Sequence, residues 1–113
     1  MKSFVCAARP FRWSTAIATR RMPLVSPPVR DDDAGLAALL DRSKLVYLCL
    51  HGYAGDDTLY GGDGGVPALS VLTILKADLT GAVVVLAGCW GQGPVAEAFM
   101  ASGAACVVGD TDV

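Results

Sequence analysis

The sequence predicts an α/β domain built on a parallel sheet, and three observations lead there. Residues 45–50 and 82–87 are short, continuous apolar runs rich in Val and Leu, the pattern of strands covered on both faces. Helical patterns precede, separate and follow them. A third run at 105–109 closes the series. Strand, helix, strand, helix, strand calls for right-handed crossovers between parallel neighbours. Three strands are few for such a sheet, so the chain reads as the central part of a larger fold.

Residues 1–30 contain Pro10, Pro23, Pro27 and Pro28 and no sustained period, and read as a leader or linker. The core is expected over 31–113. Asp31, Asp32 and Asp33 supply carboxylates ahead of a helix at 34–41, with Leu36, Leu39 and Leu40 inward at i, i+3, i+4. Residues 51–65 read as a glycine-rich loop, with Asp56, Asp57, Thr58, Tyr60 and Asp63 on a solvated lid. A helix is expected over 70–77, capped by Ser70 and facing inward through Leu72, Leu75 and Leu79. Pro94 suits the first turn of the next helix, which Gly103 closes.

Charge is divided unevenly along the chain. The first 30 residues hold Lys2, Arg9, Arg12, Arg20, Arg21 and Arg30 and no acid, whereas residues 31–113 hold three bases and all eleven acids. A core this acidic excludes nucleic acid as its partner, because phosphate binding needs clustered Lys and Arg. Every apolar run is interrupted before the ~20 residues of a membrane span. Cys6, Cys49, Cys89 and Cys106 have no metal-type spacing with His51 and no C-x-x-C pair, so neither metal nor disulfide is expected. A reducing, cytoplasmic compartment fits this cysteine usage. The basic, acid-free start has the composition of a mitochondrial transit peptide, which is the alternative.

Chemistry concentrates at two strand ends. His51, the one histidine, follows the first apolar run and precedes Gly52; Cys89 follows the second and precedes Trp90-Gly91. In open parallel sheets, reactive groups collect beyond the carboxyl ends of the strands. A thiol and an imidazole delivered there form a Cys-His nucleophile pair, with the backbone N–H groups of Gly52 and Cys89 as oxyanion donors.

The stretch from Leu45 to Val113 resembles the caspase-like peptidases of the CHAT and separase group. Val46-Tyr47-Leu48-Cys49-Leu50-His51-Gly52 is similar to the family's strand ending in His-Gly. Val83-Val84-Val85-Leu86-Ala87-Gly88-Cys89 is similar to its strand ending in the catalytic Cys, and residues 97–109 to the helix and strand that follow. The resemblance implies a caspase-like three-layer sandwich with a mostly parallel sheet, His51 as general base, Cys89 as nucleophile and a peptide or protein substrate. It implies no cofactor. Asp110 or Asp112 would stand where separases carry an acid that recognises a basic side chain. The chain departs from the family in having Ala-Gly-Cys-Trp around the thiol, where Ser-Ala-Cys is usual.

Two further readings compete. Gly91-Gln92-Gly93-Pro94-Val95-Ala96 fits G-x-G-x-x-A between strand and helix, with Asp110 at the next strand end, as in a dinucleotide-binding Rossmann-like fragment. A non-catalytic or truncated caspase-like scaffold would bind a partner chain at an exposed sheet edge. An α/β-hydrolase is excluded, since its triad histidine follows the nucleophile and no histidine lies beyond Cys89.

Overall fold

Burial alternates along residues 45–49 because a half-covered strand sends successive side chains to opposite faces. A computed structural model describes residues 2–7, 24–25, 34–61, 66–90 and 93–110, with backbone alone at 24–25, 34, 66, 88–90 and 110. In chain order the elements are β1 (Ser3–Ala7), β2 (Leu24–Val25), α1 (Ala34–Leu40), β3 (Leu45–Cys49), β4 (Thr58–Gly61), β5 (Val66–Ser70), α2 (Val71–Leu75), β6 (Val83–Trp90), α3 (Pro94–Ala101) and β7 (Cys106–Asp110).

Five strands form one sheet in the order β2-β1-β3-β6-β7, and every pairing in it is parallel. The expected α/β class with a parallel sheet is therefore observed, with two strands more than the three read from the sequence. Strands β4 and β5 make a separate antiparallel hairpin. The chain steps outward from β1 to β2, then crosses to β3 and continues in that direction. The order reverses between β1 and β3, the switch point where open α/β sheets place their ligands.

Connections that advance in one direction fall on one face of a sheet. Phe4, Cys6, Val46, Leu48, Val84 and Leu86 accordingly share a buried cluster with Leu36, Leu40, Ile74, Val95, Ala98 and Phe99 from the three helices. On the other face Val83 is 39% and Val108 56% exposed. The strands expected to be covered on both faces are thus covered on one at β6 and β7, among the described residues.

Several expectations need correction. Ser3–Ala7 lies within the stretch read as a leader, yet it is a buried strand between β2 and β3. Phe4-Val5-Cys6-Ala7 is too short to show a period, and its cover comes from elements far along the chain. Lys2 Nζ donates to the carbonyl of Ala38, 2.9 Å away, tying this strand to the carboxyl end of α1 where a cation is favoured. Leu39, Leu72 and Leu75 are exposed rather than inward. Helix α2 has only five residues, so no leucine stripe can define its face; Thr73 and Ile74 are buried instead. Ser70 is the N-cap as expected, its hydroxyl accepting from Thr73 N at 3.4 Å, and Leu79 is buried as expected. The loop read over 51–65 contains β4.

Two turns at the amino edge of the sheet carry conformational constraint. Arg42 follows α1 with φ 61°, in the left-handed region, while its N–H donates to Asp78 O at 2.8 Å. Gly103 follows α3 with φ 103°, and a Cβ there would lie 2.9 Å from Thr80 Cα. Arg42→Gly should raise stability by about 1 kcal/mol, because glycine relieves the left-handed strain and the exposed Arg42–Asp41 pair contributes little. Gly103→Ala should lower it by about 1–3 kcal/mol, since strained φ and a backbone clash coincide. Denaturant midpoints of the two variants would move in opposite directions.

Candidate active site

The site begins where the sheet ladder ends. Pairing of β3 with β6 stops at Leu48 opposite Leu86, and pairing with β1 stops at Cys49 opposite Ala7. His51 lies three residues beyond Leu48, and Cys89 three beyond Leu86, so each follows the paired part of one of two adjacent parallel strands. Parallel neighbours point their carboxyl ends to the same edge of the sheet, so both positions belong to that edge. On its other side, β6 pairs Leu86 with Gly109 and then Trp90 with Asp110. The register shifts between these two pairs, over Ala87, Gly88 and Cys89. Such irregularities bend a strand and re-aim its side chains, and they concentrate beside active sites.

A different device holds His51. Its N–H donates to Tyr60 O at 2.8 Å, and Tyr60 N donates back to His51 O at 2.8 Å, an antiparallel bridge to the hairpin. The imidazole-bearing residue is exposed and the following Gly52 is buried. The intervening segment is organised by polar contacts. The Tyr60 hydroxyl donates to Asp56 Oδ2 at 2.8 Å, Thr58 N donates to Asp56 Oδ1 at 3.1 Å, and the Tyr53 and Tyr60 rings lie 5.6 Å apart, tilted by 57°. The Asp56 bond holds the Tyr60 phenol proton, and desolvation and nearby carboxylates push its pKa up in the same direction. Residues 56–60, read as a solvated lid, are therefore the hydrogen-bonded base of a hairpin whose Leu59 and Leu69 are buried.

The remaining candidates separate by position. Asp110 pairs with Trp90, one residue past Cys89, and so belongs to the same rim. Gly91 and Asp112 lie outside the described residues. Gly93 caps α3 with φ 83°, but the first turn carries Pro94 and Glu97. A missing N–H and a carboxylate both oppose a pyrophosphate there. No protein family, curated protein or solved structure matches the chain.

Among the described residues, no three His, Cys, Asp or Glu side chains gather as metal ligands, and no helix is long and apolar enough to cross a membrane. Cys6, Cys49 and Cys106 are free thiols. Cys6 is buried in the core, while Cys106 is exposed on β7, the last strand of the sheet. Burial pushes the Cys49 thiol pKa up, which keeps it protonated and poorly nucleophilic at neutral pH.

The sequence singles out His51, Gly52 and Cys89 by their places at strand ends, and gives no sign of the contacts that join Tyr53, Asp56 and Tyr60. Their partnership joins residues on both sides of a turn, and no short motif announces it. With its thiol pKa raised, Cys49 should react with iodoacetamide more slowly than an unperturbed thiol at pH 7–8. The difference should shrink as pH rises through the raised pKa. Site-resolved mass spectrometry would check this, and equal rates at pH 7 for Cys49 and a model thiol would contradict it.

Proposed function

We propose that the chain is the core of a caspase-like cysteine peptidase of the CHAT type, with Cys89 as nucleophile and His51 as general base. The observation that supports it best is that His51 and Cys89 follow the carboxyl ends of two adjacent parallel strands, beyond their last pair Leu48–Leu86. The break in the β6–β7 ladder at the residues up to Cys89 supports it further.

In this reading a peptide carbonyl enters the crevice beside the β1/β3 switch point. His51 takes the thiol proton and Cys89 Sγ bonds to the carbonyl carbon. The oxyanion that forms accepts from the backbone N–H groups of Gly52 and Cys89. The C–N bond then breaks as the imidazolium returns its proton to the leaving amine, leaving a thioester. A water, deprotonated by the now neutral imidazole, attacks the thioester and releases the acid and the free thiol. Asp110 stands near enough along the rim to meet a basic side chain of the substrate. Cysteine usage fits a cytoplasmic compartment in this reading, with the mitochondrial alternative resting on the basic start.

The second reading, a non-catalytic scaffold that binds a partner protein, draws on β7. Strand β7, the last of the described sheet, has no proline and a single charged residue, Asp110 at its end, and Val108 is exposed on it.

An electrophilic peptide reagent separates the two readings. Intact-mass analysis should show one adduct on Cys89, absent in Cys89→Ala, and His51→Ala should slow labelling by about 100-fold or more, as expected for loss of a general base. Equal labelling of wild type and Cys89→Ala, or adducts on Cys49 and Cys106 instead, would sink the peptidase reading.

A further inference from the structure

We infer that Asp56 and Tyr60 act together as a latch that positions His51; its catalytic meaning rests on the peptidase reading, but its existence does not. The last residue of β3 paired to a neighbouring strand is Cys49, two residues before His51. His51 itself is bonded in both directions to Tyr60, at 2.8 Å each way.

Tyr60 is in turn fixed from two sides. The hairpin anchors it to the core, because Leu59 is buried and Val71 N donates to Asp57 O at 2.9 Å. Its own side chain reaches back over the turn to Asp56 Oδ2, while the other Asp56 oxygen takes the N–H of Thr58. Asp56 N donates to Tyr53 O at 3.1 Å, and the Tyr53 ring rests against the Tyr60 ring. One carboxylate thus closes the segment between His51 and its backbone partner. Removing the phenol–carboxylate bond releases that segment, and with it the geometry of the imidazole.

The chain has a single histidine, so its imidazole signals in an NMR spectrum are unambiguous. Tyr60→Phe removes the hydroxyl and keeps the ring against Tyr53; Asp56→Ala removes the acceptor and guards against an idiosyncratic effect of either change. Both variants should speed amide exchange at His51 and Tyr60 by about tenfold, the scale of one charge-assisted hydrogen bond. Exchange at Val46 and Val84 should stay unchanged, and the His51 imidazole signals should broaden or shift. In reagent labelling of Cys89, the maximal rate should fall while half-saturation stays constant. Unchanged exchange and unchanged imidazole signals in both variants would overturn the latch. Faster exchange with an unaltered maximal labelling rate would overturn its role in positioning His51. Wild-type labelling that ignores His51→Ala would instead fail the peptidase reading and leave the exchange result to decide the latch.

Discussion

The parallel ladder of β3 with its two neighbours is the constraint on which the rest of the molecule depends. Its registers, Ser3 to Ala7 against Leu45 to Cys49 and Leu45 to Leu48 against Val83 to Leu86, set which side chains face the helices. A slip of one residue would turn Val46 and Leu48 out of the core and bring Tyr47 into it. The same pairing carries the chain to His51 and Cys89 at the carboxyl edge, so the alignment that packs the core also decides from which strand ends they depart.

The two ends of the sheet divide the work. At the amino edge, lysines close the turns: Lys2 Nζ donates to the carbonyl of Ala38, and Lys44 Nζ to that of Thr80 at 2.6 Å. Asp78 Oδ1 accepts from both Thr80 N and Thr80 Oγ1, and these bonds lower its pKa. That edge is built from backbone groups satisfied by charged side chains, and it fixes the strands. At the carboxyl edge the β3–β6 ladder ends at Leu48 and Leu86, and a two-way backbone bridge from His51 to Tyr60 ties the chain to the hairpin instead.

How much of this could be read from the sequence depends on how local the cause is. Strands β3, β6 and β7 were legible because a buried parallel strand is a run of Val and Leu whatever surrounds it. Ser70 was legible as a cap because capping needs only three residues. The positions of His51 and Cys89 at the ends of neighbouring strands were legible because each closes such a run. The strand Ser3–Ala7 was not, since four apolar residues among arginines and prolines acquire meaning only when β3 lies beside them. The face of α2 was not, because Leu72 and Leu75 suggest a stripe that a five-residue helix wedged between α1 and α3 does not use. The bond from Tyr60 to Asp56 was invisible for the same reason: it exists because a hairpin turns there, and glycines hid the hairpin.

The register shift in β6 has one more consequence, which concerns time rather than geometry. Between Leu86 and Trp90 the pairing with β7 changes register, and β7 is the outermost described strand. In folded chains, local openings cost less than global unfolding and start at irregular pairings near an edge rather than among buried residues such as Val84 and Leu86. A melting temperature reports the core and is blind to openings of this kind at the rim.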